Sequence, residues 1–268
     1  MRFKILSIFI GIQIFSFGVW HTFANQPIIE TNNLVEDSII PHAAATKQIF
    51  NMDFLSRNLK SNQQDTRNAL KKLLTSTLSQ LPEEHSSALK SIIIDFDPNA
   101  HRGLGGRSKI ILRSNMSSSE LVSVFVHELG HSVDLGWLAP EKTIKKSRFK
   151  DGKTPIYSTD PSVDFYAISW KNEKTLKKMA NNLDFVSGYA MTDPFEDFAE
   201  TYVYYVLHNS EFRSKTSSSN TLYRKYKFMR DVVFNGEEPQ TGNRAVRSTF
   251  RPWDITLLSY NFERFLEI

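Results

Sequence analysis

The stretch Leu121-Val122-Ser123-Val124-Phe125-Val126-His127-Glu128-Leu129-Gly130-His131-Ser132-Val133-Asp134-Leu135 decides how this chain is read. Apolar residues surround its two histidines almost all the way round, which describes a helix buried on every side. Residues four apart on a helix point the same way, so His127 and His131 present their imidazoles together while Glu128 stands beside them. Burying two unpaired imidazoles is costly. The pattern His-Glu-x-x-His supplies a reason to do so: the histidines hold one metal ion and the glutamate acts as a base on water. Two core histidines bonded to backbone carbonyls would explain neither the spacing nor the glutamate. Gly130 sits inside the helix at a cost of about 1 kcal/mol relative to alanine, so a close approach by a neighbouring element is expected there.

A tetrahedral catalytic zinc needs a third protein ligand and keeps its fourth position for water. The chain contains no cysteine, so disulfides and thiolate sites are excluded and the ligand must be histidine or carboxylate. One class of zinc peptidases places a third histidine six residues beyond the second, with a glycine between; here those positions hold Trp137 and Asp134, which excludes that class. The better donor lies in Asp193-Pro194-Phe195-Glu196-Asp197-Phe198-Ala199-Glu200. Asp193 suits an N-cap and Pro194 the first helical position, so Glu196 falls one turn from Glu200 on the same face. Glu196 is the expected third ligand, and Glu200 the group that orients a ligand from behind. The alternative for Glu196 is a capping box, its side chain turned back to the backbone of Asp193. Asp134 is left between a contact to a ligand and a hydrogen bond to a loop.

These residues carry a resemblance. The segment His127 to Asp134, with Tyr189 seven residues ahead of Glu196 and the run Glu196-Asp197-Phe198-Ala199-Glu200, resembles the catalytic domain of the anthrax lethal factor family, which includes the secreted Pro-Pro endopeptidases. The likeness spans about residues 117 to 210. It implies that His127, His131 and Glu196 bind one zinc ion, that Glu128 is the general base, and that Tyr189 assists at the substrate carbonyl. As a neutral phenol, Tyr189 would donate a hydrogen bond to the developing oxyanion. The expected activity is hydrolysis of a peptide bond, in a peptide or protein substrate, by zinc-activated water. A catalytically silent zinc- or peptide-binding module of the same fold is the alternative; its mark would be a missing base or tyrosine, and both are present.

The expected fold is α+β: a zincin-like catalytic domain over 82–268 with a small sheet, the active-site helix and a second helix carrying the third ligand. Ile92 to Phe96 and Lys109 to Leu112 read as strands, antiparallel neighbours joined by a turn-rich loop, and Lys109 to Leu112 is the candidate edge for binding substrate by strand addition. The serines between Ser114 and Ser119 are placed to cap the helix that follows. Two helices are expected between about Thr46 and Leu81, broken near Ser61 to Gln64. The aromatic cluster of Val163 to Trp170 is read as core, and Asn172 to Met179 as its helical continuation. Leu222 to Phe234 and Ile255 to Phe265 are expected to be closing helices, with Asn235 to Pro252 an irregular connection. His101, Lys142 to Lys150 and the serines at 217–219 are read as exposed loop residues, and His208 as rotated off the metal face.

Composition sets the frame. With 268 residues, 40% of them hydrophobic, the chain can bury a core without staples. Residues 1–24 read as a secretory signal peptide: Arg2 and Lys4 start it, Ile5 to Trp20 is largely apolar, and Thr22-Phe23-Ala24 offers a cleavage site. Residues 25–81 are a leader followed by the N-terminal helical segment. The formal charge is +4, and loss of Arg2 and Lys4 leaves about +2, too little to argue for nucleic acid or a membrane surface. The mature protein is thus expected outside the cytoplasm, secreted or periplasmic, with no nucleic-acid partner and no stable membrane association.

Overall fold

Ile92, Ile93 and Ile94 are all buried, as befits a strand covered on both faces and paired on both edges. They form the middle of β2 (Ser91–Asp95), which runs parallel to β1 (Asp53–Arg57) on one side and to β4 (Lys109–Arg113) on the other. A short strand, β3 (Gly103–Gly106), returns antiparallel onto β4 and closes the sheet in the order β1-β2-β4-β3. This computed structural model describes residues 52–140, 145–242 and 251–267; the expected signal peptide and the leader up to residue 51 lie outside the described residues. The architecture is α+β.

Several expectations are corrected by this sheet. Residues 53–57, expected to be helical, are the strand β1, with Phe54 opposite Ile92 and Ser56 opposite Ile94. Pairing with the exposed side of β2 outweighs the local helical spacing, and through β1 the segment ahead of residue 82 belongs to the same sheet. The helix that follows, α1 (Gln64–Leu78), starts after a 3-10 turn at Ser61–Gln63 and buries Leu70, Leu74 and Leu78. Its Arg67 donates to Oγ of Ser56 at 2.9 Å and to the carbonyl of Phe54 at 3.0 Å. The strands β2 and β4 are parallel, not antiparallel, because β3 reverses the chain once before β4 begins. Lys109 to Leu112 is therefore interior, and the edge strands are β1 and β3.

The helix α2 (Ser118–Ser132) begins at Ser117, whose Oγ accepts from the N–H of Glu120 at 3.2 Å. It packs against β3 and β4 on one side and against α4 (Pro194–Leu207) on the other. Gly130 lies at that helix crossing: a Cβ there would sit 3.1 Å from Cα of Ala199 and 3.2 Å from Cβ of Tyr202, the close approach that its place in the sequence suggested. Beyond Ser132 the helix widens into a π turn, Val133–Trp137.

Between α2 and α4, β5 (Lys146–Asp151) and β6 (Thr154–Tyr157) make a hairpin, so the described part of the basic run is strand from Lys146 on, not loop. Then α3 (Ser162–Ser169) buries Phe165, Tyr166 and Ile168, as expected of core. The anticipated helical continuation over 172–179 is instead a small hairpin of β7 (Trp170–Asn172) and β8 (Thr175–Leu176). After α4 come α5 (Asn209–Lys215) and α6 (Asn220–Phe228), the latter running into a π turn at Met229–Val233. The expected closing helix at 255–265 is split into a 3-10 turn, Ile255–Leu257, and a short α7 (Phe262–Leu266). Two separate caps break it: Asp254 accepts from Thr256 N–H at 2.7 Å and Asn261 from Arg264 N–H at 3.0 Å. No helix among the described residues is long and apolar enough to cross a membrane.

Behind α4 a buried ion pair fastens α6. Lys225, with no exposed side-chain surface, places Nζ 2.7 Å from both carboxylate oxygens of Asp197 and 4.0 Å from the centre of the Phe185 ring, while Nε1 of Trp170 donates to Asp197 at 3.0 Å. Removing one partner of such a pair strands the other charge in the core. Lys225→Met is expected to destabilise the protein by about 3–5 kcal/mol in urea titrations, and adding Asp197→Asn should recover much of that loss.

Candidate metal centre

His127 and His131 leave α2 on the face turned toward α4, both buried, with ring centroids 5.1 Å apart. Together with Glu128 they form a buried group able to hold a metal ion, with one ligand atom from each residue all within 4.8 Å of one another. From α4, Oε2 of Glu196 faces the same space, 3.2 Å from Nε2 of His127 and 3.5 Å from Nε2 of His131. That oxygen is buried and has no hydrogen-bond partner. In a tetrahedron with bonds of about 2.05 Å the ligand atoms are about 3.3 Å apart. The separations found here suit a metal between these atoms, and the donor set of two imidazoles and a carboxylate suits zinc.

The local sequence explains why Glu196 arrives there. Oδ1 of Asp193 accepts from the N–H groups of Phe195 and Glu196, each at 2.9 Å, and Pro194 occupies the first helical position. With the cap supplied by Asp193, the side chain of Glu196 does not turn back to the backbone; its Oε1 accepts from the hydroxyl of Tyr189 at 3.2 Å. One turn on, the fully buried Glu200 places Oε1 3.0 Å from Nδ1 of His127, and neither atom has another partner. Its second oxygen accepts from the backbone N–H of Ile255 at 2.9 Å. The ring of Tyr189 stacks along His127, centroids 6.1 Å apart at 29°.

The electrostatics follow from this crowding. Burial opposes protonation of His127, but the carboxylates of Glu196 and Glu200 hold its pKa well above the usual value. Burial also works against ionisation of Glu196, yet the two histidines keep its carboxyl well below the ordinary range. For Glu128, burial raises the pKa and the neighbouring Glu196 adds to it, while both histidines and the N–H of Gly105 oppose the rise. Burial, then the charge of Glu196, pushes the Tyr189 phenol upward. Tyr189 therefore stays a proton donor.

No protein-family model, no curated protein and no solved structure matches this chain. The weight of a functional reading thus falls on the geometry.

Part of that geometry comes from residues that sequence reading passed over. The strand β3 lies directly on Glu128: a Cβ at Gly103 would collide with the Glu128 carboxylate, and one at Gly105 would stand 2.7 Å from the backbone oxygen of Glu128. Glycines at i and i+2 are the strand spacing of one face, a signal obscured by reading the run as turn. Arg102, just ahead of β3, donates to Glu120 at 2.8 Å, to Asp254 at 3.0 Å and to Oγ1 of Thr256 at 2.8 Å. Ser132 Oγ donates to the carbonyl of Gly106 at 2.6 Å. These bonds anchor both ends of β3, one to the first turn of α2 and the other to its last residue. A cavity of about 370 Å³ opens at the start of α4, lined by Lys150, Glu173, Lys174, Asp193 and Phe195 among others.

The other histidines among the described residues stay outside the centre. Nε2–H of His85 donates to the carbonyl of Val233 at 2.8 Å, so its Nδ1 accepts from Tyr202 at 2.8 Å, and burial lowers its pKa to about 4. His208 is buried against Tyr204 and Tyr260, its pKa likewise lowered by burial to about 4. His101 is exposed.

Asp134 resolves toward a structural partner. Its carboxylate accepts from the hydroxyl of Tyr166, 2.6 Å from either oxygen, and burial raises its pKa from 3.8 to about 8 against the opposing hydrogen bonds of Ser162 and Tyr166. Between those two values the folded protein retains a proton that the unfolded chain has released. This group's contribution to stability is therefore greatest below pH 3.8 and is lost as pH rises toward 8. Urea midpoints of wild type should fall more steeply between about pH 5 and pH 8 than those of Asp134→Asn, which cannot ionise; equal slopes would refute the assignment.

Proposed function

We propose that this protein is a zinc-dependent endopeptidase with a zincin-like catalytic domain, related to the anthrax lethal factor family and acting on peptides or proteins outside the cytoplasm. One observation carries the reading: the buried, unbonded Oε2 of Glu196 stands 3.2 Å and 3.5 Å from the two Nε2 atoms of the His-Glu-x-x-His helix. His127, His131 and Glu196 are the ligand set. Glu128 belongs to the same cluster, but the N–H of Gly105 bonds its carboxylate and β3 covers it, which suits a base held beside the metal better than a ligand on it.

Zinc in this position supplies a Lewis acid for the peptide carbonyl and acidifies water. Around it the protein's own groups divide the work. Glu128 accepts a proton from the attacking water and returns it to the leaving nitrogen. The phenol of Tyr189, kept protonated by burial and by Glu196, donates to the oxyanion that forms on the substrate. Glu200 holds the His127 ring by its Nδ1, leaving Nε2 aimed at the metal. The free edge of β3, beside Glu128, offers main-chain donors and acceptors to an extended peptide, the role expected in the sequence for Lys109 to Leu112.

The test is to purify the chain, measure zinc by elemental analysis and profile cleavage of a peptide library. About one zinc per chain is expected. Glu128→Gln should keep its zinc and lose about 10²–10⁴-fold in kcat; Glu196→Ala should lose the zinc itself. Tyr189→Phe should lower kcat about 10²-fold or more with zinc retained. Full zinc occupancy without cleavage of any peptide would point to a silent binding module, and cleavage undiminished in Glu128→Gln would remove the assigned base.

A further inference from the structure

We infer that Trp253 is a substrate-binding residue whose indole forms one wall of a subsite for an apolar side chain of the peptide to be cleaved. The inference rests on the peptidase reading and adds to it a residue and a class of substrate.

The strand β3 lacks side chains on the face turned to Glu128. Its residues facing Glu128 are Gly103 and Gly105, and the alternation of a strand puts Leu104 on the opposite face. An edge of this kind bonds the main chain of a peptide and distinguishes poorly among side chains. Selection has to come from an adjoining surface. The segment from Arg251 to Thr256 is that surface, since its hydrogen bonds run from the turn bearing Tyr189 to the start of β3. Arg251 donates to the carbonyl of Ser187 at 2.9 Å; the N–H groups of Gly188 and Tyr189 donate to the carbonyls of Pro252 and Trp253 at 2.9 and 2.7 Å; Arg102 holds Asp254 and Thr256 at the other end.

On this fixed track Trp253 is 70% exposed, whereas Trp170 in the core is 1% exposed. Leaving so large an apolar ring in water is unfavourable unless it meets a partner. Its ring lies over Gly188, where any Cβ would collide with the ring carbons, and its own carbonyl accepts the N–H of Tyr189. The indole is thus held over Gly188, the residue before the proposed catalytic tyrosine, by a clamped backbone. A rigid aromatic with few torsions to freeze is an efficient anchor for an apolar side chain. Asp254, the nearest carboxylate in sequence, is already paired with Arg102, so the ring is the feature that this segment presents.

The experiment compares cleavage profiles of the zinc-loaded wild type, Trp253→Ala and Trp253→Phe on the same peptide library, and adds a binding measurement on Glu128→Gln. Wild type should prefer aliphatic or aromatic residues at one position relative to the cleaved bond. Trp253→Ala should lose that preference, with the loss falling on KM by about tenfold rather than on kcat, and Trp253→Phe should keep most of it. In Glu128→Gln, preferred peptides should blue-shift tryptophan emission and shield it from acrylamide, and both effects should vanish when Trp253→Ala is added. An unaltered profile in Trp253→Ala overturns the inference while the peptidase reading stands. A uniform fall in kcat with unchanged selectivity also overturns it, as that would mark a purely structural support for Tyr189. A preference for basic residues at the position governed by Trp253 overturns the apolar assignment. If wild type cleaves nothing, the peptidase reading fails, and the emission measurement alone decides: protection by apolar peptides upholds the subsite and its absence overturns it.

Discussion

The close crossing of α2 and α4 at Gly130 and Ala199 is the constraint on which the rest of the centre depends. The ligand atoms come from two helices, so their separation is set by how near the two backbones pass. With a Cβ at Gly130 only 3.1 Å from Cα of Ala199, a larger residue would push the axes apart. Shifts of well under a methyl group would take Oε2 of Glu196 out of range of the imidazoles. The glycine that weakens α2 as an isolated helix is thus what lets α4 deliver its carboxylates.

The helix α4 carries two buried carboxylates, Asp197 and Glu200, and a partly buried one, Glu196. Glu196 and Glu200 face the histidines of α2, while Asp197 points away and meets Lys225 and Trp170. Burying the carboxylates of Asp197 and Glu200 on one helix would be ruinous without Lys225 and His127 opposite them. The two sides are coupled mechanically, because the ion pair with Lys225 fixes the rotation of α4 about its axis and so fixes where Glu196 and Glu200 point. The geometry of the candidate metal centre and the stability of the core share the same helix.

How far the chain could be read in advance depended on the range of the interactions involved. The two site helices, their caps at Ser117 and Asp193, and the pairing of His127 with His131 and of Glu196 with Glu200 were legible because local rules govern them: i, i+4 spacing, N-cap chemistry, and a proline at the first position; Tyr189 was pointed to by the family resemblance. The strand β1 was not, since its extended form is imposed by an isoleucine-rich neighbour almost forty residues later in the chain. Likewise the parallel order of β2 and β4 turns on a four-residue return strand made chiefly of glycine, whose composition resembles a turn. The role of the segment around Asp254 was hidden for a different reason. It acts through backbone N–H and carbonyl groups, which carry no side-chain signature.

That last segment has a consequence for the order in which the centre is assembled. Glu200 is satisfied by the N–H of Ile255, 55 residues downstream, and Tyr189 by the carbonyl of Trp253. During synthesis both α2 and α4 leave the ribosome well before their brace does. Until the brace docks, Glu200 lacks one of its two partners and the turn bearing Tyr189 lacks the strand-like pairing that holds it. A nascent chain can therefore bring the histidines of α2 and the carboxylates of α4 together before Glu200 and the turn bearing Tyr189 have their last partners.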